Sequence, residues 1–285
     1  MILLSFEENV NVISRFDNEQ FKVEILEHKK LNGTDDVSLG DTLYFAQKSG
    51  ITLKQVRITM KNSSLTTETG ALQFMKGQLE MESKLGGVGG LAKKMLTSAL
   101  TDETITRPVY KGSGEIHLEP SFGHFIILKL NNEEVVVDQG IFYCCDSKLD
   151  VSVIRQKNLV TGLIGGEGLF QTKVSGTGFL VVKVPVPEIE IKKEVLNGET
   201  LQVDGSFALL RKGKVEFTIQ KSSKSLIGSF TSGEGLLQTF KGTGEVWLAP
   251  TLPAYNDIYL EDTDQDADDS PGKLSWIRRL LDIFS

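Results

Sequence analysis

The chain has 285 residues, of which 40% are hydrophobic and 24% are charged, so it can bury a core. Its formal net charge is −7, and six negative side chains fall in one nine-residue run: Glu261, Asp262, Asp264, Asp266, Asp268 and Asp269. Without this run the chain is nearly neutral. That argues against a nucleic-acid partner, because such binding usually needs a basic excess.

The two cysteines, Cys144 and Cys145, are adjacent, so neither has a separate partner for a disulfide bond. This usage favours a reducing, cytoplasmic compartment. The N-terminus turns acidic at Glu7 and Glu8 and lacks the basic stretch of a secretion signal. Since no apolar run reaches the length of a membrane-spanning helix, we expect any membrane association to be peripheral.

Alternation of apolar and polar side chains predicts the first strands. Residues 21–25 alternate as a half-buried strand does. Asn32-Gly33 then offers a two-residue hairpin turn, because both residues tolerate positive φ. Residues 44–46 and the alternating stretch 51–60 are the next predicted strands.

A short phrase, Leu-Asn followed by Gly or Asn, recurs three times and predicts internal repeats. Its copies are Leu31-Asn32-Gly33, Leu130-Asn131-Asn132 and Leu196-Asn197-Gly198, followed by Gly40, Gly140 and Gly205 and then by Gly112-Ser113-Gly114, Gly176-Thr177-Gly178 and Gly242-Thr243-Gly244. The interval between the first and second triplets is nearly equal to that between the second and third. The same order of turn residues at a nearly constant period indicates three supersecondary units.

These repeats divide the chain into five segments. They are repeat one at 1–120, repeat two at 121–187, repeat three at 188–255, an acidic linker at 256–272 and an amphipathic helix at 273–285. Short strands separated by glycine turns predict an all-β sandwich or barrel-like fold.

Repeat one is longer than the others by roughly 35 residues when Gly40 is matched with Gly140 as the same point of the repeat. We expect the excess near 77–106, where the glycine-rich stretch Gly86–Gly90 lies. Apolar side chains from Leu91 to Leu100 recur there at helical spacing. The sequence therefore predicts one short helix inserted in repeat one.

The chain ends in a segment with the pattern of an amphipathic helix. The apolar residues that share one helical face are Trp276, Ile277, Leu280, Leu281 and Phe284. Such a face fits insertion into a membrane surface, docking in the groove of a partner protein, or packing against the chain's own β body. These alternatives stay open, and the five residues are the predicted contact face.

Two segments of the repeats match closely: Lys111–Pro120 parallels Lys241–Pro250, and Gly166–Thr172 parallels Gly233–Thr239. With the glycine-rich insertion, these segments resemble the altered inheritance of mitochondria protein 24 family over about residues 20–255. The resemblance implies a shortened double-stranded β-helix like that of the tryptophan RNA-binding attenuation protein, whose small β units associate into rings. Three units per chain would then suit a ring-like homotrimer. The shared motifs include no catalytic motif.

The glycine triplets could suggest phosphate binding, but a dinucleotide-binding turn needs a helix directly after its glycines. Strand patterns follow here instead, which favours a bulge or a close backbone approach. Gly86–Gly90 before a lysine-bearing helix is an anion candidate, although it lacks the ending of a P-loop. A flexible insertion loop is the favoured interpretation.

Histidine and cysteine side chains offer further candidate sites. His117 and His124 could pair as metal ligands, but His117 aligns with Trp247 of repeat three, which favours packing in a strand or a position on the surface. The cysteines at 144–145 align with the leucines at 209–210, so we expect small buried hydrophobes, one facing the core and one the opposite face.

Two other candidates have mainly structural interpretations. His28 lies beside two lysines in a predicted solvated turn. Glu103, Glu167 and Glu234 precede the triplets at similar spacing and could act as acid and base. Their threefold repetition favours a structural or interface role.

The sequence therefore predicts a non-enzymatic oligomeric scaffold or binding protein, recruited to a membrane surface or partner through 273–285. A ring that binds a small ligand or nucleic acid is the second class, against which the nearly neutral body weighs. An enzyme in an inter-repeat cleft is the third, and no catalytic or metal-ligand spacing supports it. No catalytic residue, cofactor or metal site is predicted.

Overall fold

The computed structural model describes residues 5–82, 107–156, 169–204, 207–221 and 236–256, apart from residues 32, 34, 36 and 38. Strands make up most of this part of the chain. Every strand pair with a described register is antiparallel. The prediction of an all-β fold is confirmed.

The described part of the chain contains twelve strands and a few short helices. The strands are β1 (Val10–Asp17), β2 (Phe21–His28), β3 (Lys54–Thr67), β4 (Leu72–Glu82), β5 (Val109–Leu118), β6 (His124–Val137), β7 (Phe142–Asp146), β8 (Asp150–Gln156), β9 (Leu169–Val184), β10 (Lys192–Asp204), β11 (Ala208–Lys221) and β12 (Leu236–Leu248). The helix α1 is Leu39–Lys48, and Glu7–Asn9 and Glu188–Glu190 form 3-10 turns. A helical turn at 252–256 ends the described part.

The chain divides into two compact units. The first comprises Met1–Glu133, Gly140–Val151 and Val174–Glu188, and the second comprises Glu134–Gln139, Ser152–Lys173 and Ile189–Ser285. In the first unit, β1, β2, β3 and β7 are successive neighbours, and β5 lies between β3 and β4. In the second unit, the end of β6 is followed by β11, β12 and β10.

Alternating apolar side chains build the core of the first unit. Val23 and Ile25 of β2 are fully buried, and they oppose the equally buried Ile58 and Val56 of β3. Burying a side chain of this size stabilises the fold by about 1.5–3 kcal/mol. The strands predicted at 21–25 and within 51–60 are confirmed in β2 and β3, apart from residues 51–53.

The second unit has its own apolar core, between β10, β11 and β12. Leu196, Val203 and Val246 are buried there. The rings of Phe217 and Phe240 pack beside them with centroids 5.1 Å apart. The second unit therefore has an apolar core of its own.

The segment between β2 and β3 folds as a helix instead of a hairpin. β2 ends at His28 and the next strand begins at Lys54, so the predicted two-residue turn at Asn32-Gly33 is wrong. The strand predicted at 44–46 is also wrong, because those residues lie in α1. This helix was not predicted.

A Schellman motif ends α1 and explains the outcome. Ile51 donates its N–H to the carbonyl of Ala46 at 2.9 Å, and Gly50 donates to Gln47 at 3.2 Å. Gly50 has φ +75, which the motif requires and glycine adopts without strain. This stop signal outweighs the strand propensity of the aromatic residues before it.

Gly40 and Gly140, which were matched to obtain the extra length of repeat one, lie in different local structures. Gly40 lies within α1, whereas Gly70 follows β3 with φ +77, as Gly140 follows β6 with φ +75. The interval from Gly70 to Gly112 is only slightly longer than the interval from Gly140 to Gly176. The estimate of about 35 extra residues therefore rests on matching a helical glycine with a glycine that follows a strand.

Of the region near 77–106 in which the insertion is expected, residues 77–82 belong to β4. Residues 83–106, with the predicted loop at Gly86–Gly90 and the predicted inserted helix, lie outside the described residues. So do most of the acidic linker, from residue 257 on, and the whole segment 273–285.

The first and third glycine triplets lie inside strands at a close approach of two backbones. Gly112 and Gly114 on β5, and Gly242 and Gly244 on β12, have φ between +132° and +159°. A β-carbon at any of them would collide with a carbonyl oxygen of the neighbouring strand. β5 and β12 continue beyond the glycines, so the predicted close approach is confirmed and the phosphate-binding turn is excluded there.

In two of the glycine triplets, the middle residue accepts a hydrogen bond from an asparagine whose backbone lies in the left-handed region. Asn62, with φ +42, donates its N–H to Ser113 Oγ at 2.8 Å. Asn132, with φ +55, donates to Thr177 Oγ1 at 2.9 Å. The ladder between β3 and β5 shifts register beside Asn62, which marks a β-bulge.

Candidate interaction surface

The predicted contact face lies outside the described residues. It consists of Trp276, Ile277, Leu280, Leu281 and Phe284, all in the segment 273–285. Glu103, Glu167 and Glu234 also lie outside the described part of the chain. The roles proposed for these side chains therefore stay predictions.

His117 is a buried side chain held between aromatic and polar neighbours. Its ring stacks on Phe74 with centroids 4.2 Å apart, and its Nε2 lies 2.9 Å from the carboxylate of Glu115. Trp247 makes the matching contact in β12, where its indole N–H donates to Glu245. The packing role predicted from the alignment of His117 with Trp247 is confirmed.

Metal binding gains no candidate from the described residues, among which no three His, Cys, Asp or Glu side chains could share an ion. His124 begins β6. His28 ends β2 rather than lying in a solvated turn, and its ring meets that of Phe6 edge-on at 5.6 Å. Burial lowers the pKa of His28, which favours its neutral form.

The two cysteines are free thiols in the interior of β7. Cys144 and Cys145 are both 0% exposed, so both faces of the strand are covered here. Burial raises the pKa of each thiol well above its usual range. A nucleophilic cysteine needs the opposite shift, so the prediction of small buried hydrophobes is confirmed.

Two pairs of strands join through the same short ladder. In the first unit, residues 65–67 of β3 oppose residues 146–144 of β7. In the second unit, residues 135–137 of β6 oppose residues 212–210 of β11. We call these ladders the β3–β7 junction and the β6–β11 junction.

A partly buried ion pair lies beside the β3–β7 junction. The guanidinium of Arg107 contacts the carboxylate of Glu68 at 3.2 Å. It also lies over the ring of Phe142, 4.4 Å from the centroid. Packing over an aromatic face compensates part of the cost of removing the cation from water.

A buried polar chain lies beside the β6–β11 junction. Arg211 donates to Gln171 Oε1 at 2.8 Å, and the amide of Gln171 reaches Asp138 Oδ1 at 3.4 Å. Burial lowers the pKa of Arg211 to about 10 and raises the pKa of Asp138. Both shifts show that each charged form is costly here and depends on its partners.

β4, β7 and β11 correspond to one another through a shared irregularity. Each strand shifts register by one residue against an antiparallel partner: β4 against β5 after Leu72, β7 against β9 after Phe142 and β11 against β12 after Ala208. The two residues beyond the bulge therefore occupy matching places in the three strands.

β4 is exposed where its two counterparts are buried. Residues 73–76 are all exposed, including Phe74 at 49% and Met75 at 39%. Every residue of β7 is buried, and so are residues 208–211 of β11. Among the described strands β4 pairs only with β5, so its other backbone edge is open. We call residues 73–76 the β4 edge.

β10 also ends on an open edge. It pairs only with β12 among the described strands. Gln202 is exposed, whereas Thr66 of the β3–β7 junction and Val136 of the β6–β11 junction are buried. We call residues 201–204 the β10 edge. Unpaired edges of this kind are templates for another strand.

Residues 46–251 match the family model described as mitochondrial biogenesis AIM24. The chain belongs to this family. An uncharacterized protein of Streptococcus pyogenes serotype M6, M6_Spy0233, is 26% identical over 193 residues, which cover 65% of this chain and 76% of the relative. The AIM24 match confirms the resemblance inferred from the triplets and their flanking segments.

The crystal structure of protein SPYM3_0169 from Streptococcus pyogenes resembles this chain with a TM-score of 0.54 and 23% sequence identity. The likeness covers 72% of this chain and 94% of that one, and it supports the fold alone. Separately, none of the described helices is long and apolar enough to span a membrane.

Proposed function

We propose that this AIM24-family protein is a non-enzymatic scaffold that self-associates through its β body and recruits a membrane surface or a partner protein through 273–285. The observation that carries the proposal is the β4 edge, an open strand with Phe74 and Met75 exposed. Apolar open edges lead to pairing with another chain unless they are covered. A protein that binds its own copies uses such an edge directly.

The proposed body consists of three pseudo-repeats arranged as a ring-like homotrimer, as the family resemblance implies. The recurring bulge after Leu72, Phe142 and Ala208 supports the repeats. The paired contacts of Asn62 and Asn132 with the triplets support them as well. A trimer of such chains would hold nine similar units, like a ring of the attenuation-protein type.

The proposed location is the cytoplasm, with peripheral attachment to a membrane or to a membrane-bound partner. The two free, buried thiols of Cys144 and Cys145 fit a reducing compartment. The apolar face of 273–285 supplies the contact, and the acidic linker separates it from the β body. Several tails on one oligomer would bind together much more tightly than one tail alone.

Deleting residues 270–285 tests recruitment. We expect the truncated protein to lose sedimentation with liposomes, or capture of its partner, while its mass in light scattering stays oligomeric. The replacement Trp276→Ala with Phe284→Ala should weaken association, whereas Asp282→Ala, off the apolar face, should not. Association that survives the deletion unchanged would refute a recruiting role for the tail.

A further inference from the structure

We propose that the β10 edge of one copy pairs antiparallel with the β4 edge of a second copy of this chain. In this register Gln202 opposes Met75 of the second copy, with Leu201 opposite Lys76 and Val203 opposite Phe74. The inference rests on the self-association proposed above and names the strands that carry it. The contact repeats, between two chains, a ladder that each chain already contains twice.

The register follows from the two junctions inside the chain. Thr66 opposes Cys145 at the β3–β7 junction, and Val136 opposes Arg211 at the β6–β11 junction. Val136 follows Thr66 in the sequence by the same number of residues as the bulge of β7 follows the bulge of β4. Arg211 follows Cys145 by the same number of residues as the bulge of β11 follows the bulge of β7. The two junctions therefore follow the same repeats as the bulges.

Extending this series gives one more pair of positions. Gln202 follows Val136 by the interval that separates Cys145 from Arg211, and Met75 precedes Cys145 by the interval that separates Thr66 from Val136. Both positions lie in strands, on the β10 edge and the β4 edge. Among the described strands these two edges are not paired with each other or with a third strand. The next pair of positions therefore falls on two strand edges that no described strand covers.

A backbone hydrogen bond extends the prediction by one residue. Each junction ends on a bond from the N–H of an acidic residue to a carbonyl oxygen: Glu68 to Tyr143 at 2.8 Å, and Asp138 to Leu209 at 2.9 Å. The same intervals lead to the N–H of Asp204 and the carbonyl of Gln73. We expect Asp204 to donate to Gln73 of the second copy.

Burial supports the same pairing from the side chains. Met75 is 39% exposed, whereas its counterparts Cys145 and Arg211 are 0% and 7% exposed. On the other strand Gln202 is exposed, and its counterpart Val136 is 5% exposed. One added strand pair would bury both exposed positions together.

Two buried oxygens beside the β10 edge have no hydrogen-bond partner among the described residues, namely Gln238 Oε1 and Thr239 Oγ1. They lie on β12, opposite Val203 and Gln202. At the β6–β11 junction, the Arg211 side chain crosses one strand to reach an oxygen on β9. Met75, the counterpart of Arg211 on the β4 edge, has no hydrogen-bond donor, so a donor for these oxygens would have to come from another residue of the added strand; buried polar atoms normally find a partner.

The contact joins two different surfaces, so it is head-to-tail. Such contacts form a closed ring when the rotation between copies returns to its start, and a filament when it does not. The partner is a second copy of this chain because the intervals between the junctions pair the β10 edge with a strand of this same sequence. Each copy supplies one β4 edge and one β10 edge, so every copy in a ring has both edges covered.

A double variant with Gln202→Cys and Met75→Cys tests the pairing. Opposed residues of an antiparallel ladder have Cα atoms about 4.5–5.5 Å apart, within the range of a disulfide bond. We expect oxidation to link chains covalently, with a ladder on a non-reducing gel that ends at three chains for a trimeric ring. The native cysteines are buried and do not compete. Leu201→Cys with Lys76→Cys is a second in-register pair.

The matched control combines Gln202→Cys with Lys76→Cys. A slip of one residue turns the second cysteine to the opposite face, so linking should fall sharply. Equal linking in the control would overturn the register. An oligomeric mass before oxidation, without linking of either in-register pair, would overturn the pairing and leave self-association standing. A monomeric mass would overturn both.

Discussion

Replacing Gly77 with alanine tests the close approach of strands at the first glycine triplet. Gly77 on β4 has φ +123, and an added β-carbon would lie 2.6 Å from Gly114 Cα and 2.7 Å from the Ser113 carbonyl oxygen. Both are backbone atoms of β5, so relief would require the β4–β5 ladder to shift. Gly70 is the matched control, because it has φ +77 and nothing within 4 Å of an added β-carbon.

The two replacements differ because only the β-carbon added at Gly77 would collide with neighbouring backbone atoms. Gly70→Ala should lose about 1–2 kcal/mol of unfolding free energy, the usual cost of a left-handed backbone in alanine. Gly77→Ala adds backbone strain and the displacement of ladder hydrogen bonds worth about 1 kcal/mol each. We therefore expect a total loss of about 3–4 kcal/mol at Gly77.

Urea unfolding followed by far-UV circular dichroism measures this difference. The variants and the parent protein should be compared at one protein concentration, because self-association stabilises the folded state by mass action. A loss at Gly77 no larger than at Gly70 would refute the close backbone approach.

Three further outcomes follow from buried groups. Arg211→Met removes the donor to Gln171 and the cation near Asp138, so urea unfolding should show a loss of about 1–3 kcal/mol that Asp138→Asn partly restores. Since burial raises the pKa of Asp138 above its unfolded value, the stability it contributes is present at acid pH and falls as pH rises through the folded pKa. Asp138→Asn should flatten that part of the pH profile, and an unchanged profile would count against it. Cys144 and Cys145 should resist iodoacetamide in the native protein and react in urea, as read by intact mass; rapid native labelling would contradict their burial.

The alternation of apolar and polar residues in the sequence predicts part of this fold, whereas the predicted turn at Asn32-Gly33 is wrong. Period-two patterns locate β2 and β3, and the comparison of repeats identifies the packing role of His117. The main error came from one local match. Leu31-Asn32-Gly33 was matched with Leu130-Asn131-Asn132, but the asparagine that contacts a triplet as Asn132 does is Asn62. The sequence around α1 carries aromatic strand formers, and only the glycine stop after them indicates a helix.

The open edges could not be found from the sequence in the same way. Phe74 and Met75 have the composition of a buried strand, and in β7 and β11 the matching positions are buried. Whether a strand is an edge depends on which other strands pair with it, and such pairs are distant in the chain. The structure supplies the signal that the sequence lacks. Three strands that share one bulge should have equivalent neighbours, and β4 lacks one among the described strands.

Light scattering of the full-length protein over a range of concentrations tests self-association most directly. Each chain has a mass of 31.4 kDa, and we predict a particle of three chains that survives deletion of 270–285. A particle with the mass of one chain at every concentration would contradict the proposed scaffold.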